Sequence, residues 1–289
     1  MIRTALGKTG MEVSKIIYGA IISKDDGQEK SDEYVRYAIE KGVNYFDISP
    51  TYGDSQEKLG QSLKGYRKDI YIAAKTNRRK GEEAKKEIEE SLRVLNTDYF
   101  DVYQLHSVMS PEDMENSFKE DGVMPLLMKY KEEGIIKNIG ITVHSEYAAL
   151  RGFELYDFDT LLFPTNWGLN MARGFGDKIH QVQKEKGFGM LGMKSLIHRA
   201  WLNPEEKAKS RFPKSWCKPI TDEPEFAIAA MRYAQSVIGA SSLVPPGNIE
   251  NFSFCVENVE QIAQPLTESD RELLNSRIKD TYGHLIYGI

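Results

Sequence analysis

Asp98-Tyr99-Phe100-Asp101-Val102-Tyr103-Gln104-Leu105-His106 is a run of β-formers that ends on an imidazole. Two further stretches have the same design. Tyr45-Phe46-Asp47-Ile48-Ser49-Pro50-Thr51-Tyr52-Gly53 closes a β-rich run on a carboxylate and a phenol, and Ala73-Ala74-Lys75-Thr76 closes one on an ammonium. Each predicts a short strand with a polar, chemistry-bearing residue just past its end.

Working outward, similar apolar runs lie near 15–20, 43–46, 70–74, 99–105, 136–141, 160–163, 189–193 and 237–240. They are continuous rather than alternating, as strands buried on both faces are. Amphipathic stretches separate them. From Glu82 to Leu95, Ile88, Leu92 and Leu95 share one face among Lys and Glu, which predicts a helix. Alternating strand and helix predicts right-handed βαβ units on a parallel sheet, and eight of them close a barrel. The expected fold is therefore α/β, a (β/α)8 TIM barrel. Thr4 to Ser14, with Gly7 and Gly10 between β-like pieces, reads as an N-terminal β-hairpin capping the closed end. Extra helices are expected at the C-terminal end. No Pro-, Gly- or Ser-rich linker divides residues 1–289, so a single barrel domain is expected, and about 250 residues is ordinary for one.

Bulk properties narrow the function. Thirty-eight basic against 43 acidic residues leave a net charge of -5, which supplies no basic field for nucleic acid or an anionic membrane. Two cysteines, Cys217 and Cys255, are too few for a disulfide framework or a CxxC metal site and fit a reducing compartment. The polar, glycine-bearing start is no signal peptide or membrane span, so a cytoplasmic protein is expected. The five histidines show no HxxxH or HExxH spacing and no GxSxG is present, so no metal and no hydrolytic serine is expected.

In a parallel barrel the loops after the strands share one mouth, so Asp47 and Tyr52, Lys75 and His106 converge from strands two, three and four. Their chemistry is complementary. A hydride reaching a carbonyl carbon builds charge on the oxygen, which then needs a proton donor. Tyr52 supplies it, Lys75 stabilises the phenolate, Asp47 keeps Lys75 charged and aimed, and His106 orients the substrate oxygen. Taken singly, each has a plainer reading: Asp47 as a cap, Tyr52 as an edge aromatic, Lys75 as a solvated charge, His106 as a core histidine.

These three stretches, with Leu6-Gly7-Lys8-Thr9-Gly10-Met11-Glu12-Val13-Ser14 and Gly53-Asp54-Ser55-Gln56-Glu57-Lys58-Leu59-Gly60, resemble the aldo-keto reductase family across essentially the whole chain. The resemblance implies the same barrel and reversible NAD(P)H-dependent reduction of an aldehyde or ketone, with Tyr52 as general acid in reduction and general base in oxidation.

It also implies a nicotinamide cofactor laid across the barrel mouth. Gly187-Phe188-Gly189-Met190-Leu191-Gly192 matches GxGxxG but follows a helical stretch and precedes a strand, so Gly187 is expected as a helix C-cap instead of part of a phosphate turn. Beside Asp47, the nicotinamide end is expected to use Thr142, His144 and Asn166, with Met193, Lys194, Ser195 and Leu196 covering the ring and phosphates; His144 reads equally as a helix cap or surface histidine. Val237-Ile238-Gly239-Ala240-Ser241-Ser242 and Ile249-Glu250-Asn251 resemble the family's adenosine-binding end, with Ser241 near phosphate and Glu250 and Asn251 suited to the adenine edge. Where members that clamp a 2′-phosphate often carry lysine and arginine, this chain has Ala240 and Gly247. Lys194, Arg199 or Lys207 is the candidate replacement. NADPH (NADP) is the favoured cofactor and NAD the alternative. Residues 197–222, with three prolines and two tryptophans, read as a long loop over the active face or as a surface excursion packed by its own aromatics.

The expected partner is a small-molecule carbonyl or alcohol. Two other functions stay open: an NAD-linked sugar or alcohol dehydrogenase, which Ala240 and Gly247 suit, and a nucleotide-sensing regulatory protein on the same fold.

Overall fold

The computed structural model describes residues 1–281 and 283–286. Its centre is a sheet of eight strands: β3 (Tyr18–Gly19), β4 (Tyr45–Asp47), β5 (Tyr71–Thr76), β6 (Phe100–Val108), β7 (Ile136–Val143), β8 (Thr160–Pro164), β9 (Gly189–Met193) and β12 (Ser242–Val244). They lie side by side in chain order, and every neighbouring pair is parallel. The two edges meet through a parallel bridge between Ile16 and Leu243, with Ile17 N donating to Leu243 O and Leu243 N to Lys15 O, both at 2.9 Å. The sheet is thus a nearly closed (β/α)8 barrel, with helices between the strands.

The N-terminal hairpin pairs β1 (Arg3–Ala5) with β2 (Glu12–Ser14) antiparallel. Its Leu6, Met11 and Val13 are buried with the inward-facing Tyr45, Ala73, Val102, Leu162 and Leu191. That cluster plugs one end of the barrel, opposite the end where Asp47 and Tyr52 line an open cleft. A second, larger apolar cluster fills the space between sheet and helices. Beyond the eighth strand, helices Ile249–Glu257, Val259–Ile262 and Glu268–Arg277 pack on the outside. No helix among the described residues is long and apolar enough to cross a membrane.

The eighth strand is not at 237–240. Val237 ends the helix Pro224–Ser236, Gly239 turns the chain at φ 84°, and the strand begins at Ser242. Ile238 and Ala240 are apolar because they are buried under that turn, and burial alone does not distinguish a turn from a strand. Likewise only Tyr18 and Gly19 of 15–20 form strand, and Ala20–Ser23 coil into a 3-10 turn. Asp47, Lys75 and His106 lie within their strands rather than past them. Inside a barrel a polar side chain on the inner face finds polar partners on the neighbouring strands, so a strand need not end where polarity begins.

Residues 197–222 are partly ordered by a short antiparallel pair, β10 (Ile197–Arg199) with β11 (Lys218–Pro219), and by the helix Pro204–Lys209. Gly187 does cap the helix Asp177–Lys186 in the left-handed conformation.

Candidate functional site

The open end of the barrel gathers the four residues. Lys75 Nζ donates to Asp47 Oδ2 at 2.5 Å and to the Tyr52 hydroxyl at 3.0 Å. Asp47 is 3% exposed, Lys75 0% and His106 5%. Tyr52 is partly exposed where, with Asp47, it lines a cleft of ≈ 620 Å³ open to solvent. The His106 and Tyr52 rings stand nearly perpendicular, at 88°, with centroids 5.7 Å apart.

The loop that follows β4 sets Tyr52. Its amide donates to Ser49 O at 3.1 Å, and Ser55 Oγ donates to Tyr52 O at 2.8 Å. Gly53 makes the turn at φ 62°, a left-handed conformation that costs glycine little. Ser49 Oγ lies 3.1 Å from His106 Nδ1 and 2.8 Å from Thr51 Oγ1, and accepts from Thr51 N at 3.3 Å. The tautomer in which Ser49 donates to Nδ1 is the one that has Nε2–H as the imidazole's donor. On its other side Arg79 Nη2 donates to His106 O at 2.9 Å, and Asp113 holds Arg79 through Nε at 2.8 Å and Nη2 at 2.9 Å. The next residue, Ser107, sits at φ 52°, in a bulge where β6 and β7 lose register.

Burial raises the Tyr52 pKa; Lys75 pulls it down by less, and Asp47 pushes it up. Desolvation of the phenol prevails, so the resting tyrosine is a protonated acid, and the expected stabilisation by Lys75 applies to the phenolate once the proton has left. For Lys75 burial favours the neutral amine, yet the Asp47 carboxylate and the hydrogen bonds to Asp47 and Tyr52 outweigh it and raise its pKa. His106 is lowered to about 2, first by burial and then by Lys75, and is neutral. A neutral imidazole, a phenol and an ammonium held by a carboxylate are what proton donation to a polarised oxygen requires.

Asp47 has a second partner that the sequence reading missed. Its Oδ1 accepts from Gln104 Nε2 at 3.1 Å, and Gln104 Oε1 accepts from Thr142 Oγ1 at 3.0 Å. Two-residue periodicity places Gln104 on the His106 face of β6, which was the available signal.

The residues expected to bind a cofactor divide into groups. Met193 and Lys194 line the cleft with Gly247, Lys214 and Trp216. Lys194 is at φ 64°, its Nζ 5.4 Å from the Trp216 ring centroid, and burial lowers its pKa. His144 is lowered to about 3, by burial and then by Lys194 and Lys75. Asn166 donates to Lys194 O and Ile197 O and accepts from Leu169 N, so both its amide protons are spent within the protein. Ser195 Oγ meets Thr165 Oγ1 at 3.0 Å, while Leu196 and Ala240 are side chains of the apolar core. Ser241 O accepts from Lys15 Nζ at 2.9 Å. Glu250 and Asn251 lie apart, in a neighbouring cleft with Arg211, another residue the sequence reading passed over. Asn251 Nδ2 is buried without a partner. Arg199 is occupied by Glu206, which accepts from Nη1 at 3.1 Å and Nη2 at 2.7 Å.

The Aldo/keto reductase family model matches residues 15–154. L-galactose dehydrogenase of Arabidopsis thaliana is 35% identical over 157 residues, 48% of this chain and 47% of that protein. D-arabinose 1-dehydrogenase of Saccharomyces cerevisiae is 25% identical over 219 residues, 66% of this chain and 63% of its own length. The chain therefore spans about half the length of the first of these relatives and less than two thirds of the second. In fold, an aldo-keto reductase from Bacillus halodurans in its holo form superposes with a TM-score of 0.74 at 22% identity, covering 100% of this chain and 98% of that one. The family match, residues 15–154, contains the strands and loop that carry Asp47, Tyr52, Lys75 and His106, so this part of the chain is similar to the aldo/keto reductase family.

Proposed function

We propose that this oxidoreductase reversibly reduces an aldehyde or ketone to an alcohol with NAD(P)H, and that Tyr52 is its proton donor. The observation that carries the reading is the Tyr52 hydroxyl 3.0 Å from a buried lysine that is itself paired to a buried aspartate.

As charge builds on the carbonyl oxygen, Tyr52 O–H donates to it and Lys75 stabilises the phenolate that is left. Asp47 keeps Lys75 charged. His106, neutral and held at Nδ1, offers Nε2–H to the same oxygen and fixes its direction. In oxidation the roles reverse, with Tyr52 accepting the alcohol proton. The cofactor, when bound, supplies or takes up the hydride. The residues present fit a dinucleotide: the cleft runs from Tyr52 past Met193 and Lys194 to Gly247, and the unpartnered Asn251 amide lies in the next cleft, on the first turn of the helix that follows Gly247.

A second reading, an NAD-linked sugar or alcohol dehydrogenase, is favoured by one feature. Arg211 shares its cleft with Asp222, Glu223 and Glu250 and already pairs with Asp222 at 2.9 Å. Glu223 is likewise paired, to Arg277; with the cleft's arginine already committed and Glu250 adding a further carboxylate, the cleft is a poor receptor for an added phosphate and a better one for ribose hydroxyls. The names of the two sugar dehydrogenases above point the same way.

Tryptophan fluorescence titrated with NADPH and NADH at one ionic strength separates the readings, and turnover of Tyr52→Phe tests the mechanism. We expect the variant to lose at least about a hundredfold in kcat while cofactor affinity is kept, as removal of a general acid does. Unchanged turnover would reject Tyr52 as the donor.

A further inference from the structure

The polar chain behind the proton donor ends in two neutral side chains. Gln104 has no exposed surface and Thr142 only 2%. A carboxylate can only accept, so the Gln104 nitrogen must face Asp47 and its oxygen must face Thr142, whose one hydroxyl proton is donated there. Gln104 is the register partner of Lys75 across β5 and β6. Gly140 leaves the space beside it, since a Cβ there would lie 3.1 Å from Gln104 Cγ and 2.2 Å from Thr160 Oγ1. A primary amide in the middle of a barrel costs free energy unless both of its ends are bonded, and here both are.

From this juxtaposition, and resting on the reading of Tyr52 as proton donor, we infer that Gln104 is a positioning residue for the carbonyl reaction. It holds the Asp47 carboxylate so that one oxygen is presented to Lys75, and Thr142 holds Gln104. The titratable groups around it are Asp47 from β4, Lys75 from β5 and His106 farther along β6. Tyr52 lies beyond Lys75, His144 beyond Thr142, and Tyr45 is near enough to feel the Asp47 charge.

The test uses the full chain with an aromatic aldehyde and the better of NADPH and NADH, measuring kcat and KM from mildly acidic to mildly alkaline pH. Gln104→Met keeps the length and removes both polar ends. We expect kcat to fall by about tenfold or more with cofactor KM little changed, the scale of one hydrogen bond to a charged group. Gln104→Glu is expected to regain kcat as the pH falls, because a protonated carboxyl donates to Asp47 and an ionised one repels it; Gln104→Met shows no such recovery. Thr142→Val loses less, and the double variant Gln104→Met/Thr142→Val is no slower than Gln104→Met alone. If Gln104→Met does not fold by circular dichroism, the acid recovery of Gln104→Glu and the Thr142→Val loss decide the matter. Wild-type kcat and pH profile in the variants overturn the positioning role. If Tyr52→Phe is inactive at the same time, only this inference falls; if Tyr52→Phe is fully active, the proton-donor reading falls with it.

Discussion

Lys75 and Asp47 form an ion pair of 2.5 Å with 0% and 4% of their side chains exposed, and that pair lies at the top of a barrel whose other end is plugged. Two ions removed from water stay charged only because each satisfies the other and both have further hydrogen-bond partners, Tyr52 for the lysine and Gln104 for the aspartate. Stability and chemistry are therefore drawn from the same contacts.

Lys75→Met separates them. It leaves Asp47 buried with no counter-ion, and breaking such a pair from one side costs about 3–5 kcal/mol. We expect a marked drop in the thermal midpoint together with loss of turnover. Asp47→Asn/Lys75→Met should recover much of the midpoint and none of the activity. A double variant no more stable than Lys75→Met would show that the pair is not the source of the loss.

Arg79 acts at a distance from the reacting atoms. It holds the His106 carbonyl and is itself clamped by Asp113, beside Ser107 at φ 52°. Arg79→Met should free that bulge and let the imidazole turn, raising KM for the proposed carbonyl substrate more than it lowers kcat. Crystallography or imidazole NMR of the variant checks the cause, and an unmoved His106 ring with unchanged KM rejects it.

Much of the site was legible because the strand-end text is local. Lys75, His106 and the Asp47 to Tyr52 stretch each carry a polar residue against a β-rich run, and barrel topology alone brings them together. Gln104 was passed over for the complementary reason: an amide inside a strand carries no sign of being buried until its partners, 57 residues before and 38 residues after it, are known. The run at 237–240 misled because the interior of a helix–strand turn is as apolar as a strand. Asn166 shows a third case. Its side chain caps the helix Trp167–Arg173 and spends both amide protons on the Lys194 and Ile197 carbonyls, partners that exist only once β8 and β9 are side by side.

Acid should weaken the fold through its histidines. His106 and His144 are held near 2 and near 3, against an ordinary value of 6.5. Above 6.5 both folded and unfolded chains carry these rings neutral, so they add no pH dependence. Below 6.5 the unfolded chain binds protons that the folded one refuses, and stability falls as the pH drops toward the folded values. Burial shifts His180 and His198 the same way, so they steepen the trend. Urea midpoints measured between pH 6.5 and about 5, above the main carboxylate range, isolate this effect. His144→Gln should reduce the slope, by at most about 1.4 kcal/mol per pH unit. An unchanged slope would mean that His144 is protonated in the folded protein.

The plug should be as sensitive as the mouth. Gly7 is at φ 52°, and a Cβ there would lie 2.2 Å from Gly189 N and 2.4 Å from Phe188 C, backbone atoms that cannot swing away. Nearby, Lys8 N donates to Gly187 O at 2.9 Å, and Leu6 is seated against Gly189, where a Cβ would lie 2.5 Å from two of its side-chain carbons. Gly7→Ala must therefore push the hairpin off the barrel floor, losing the burial of Leu6 and straining a left-handed residue at the same time. We expect a destabilisation of more than about 2 kcal/mol. Because the floor is separated from Lys75 and Tyr52 by the layer of Ala73 and Val102, kcat per folded molecule should change far less than the thermal midpoint. A variant that keeps its midpoint would show the hairpin to be loosely attached, and one that keeps its midpoint but loses kcat would show that the floor sets the geometry of the mouth.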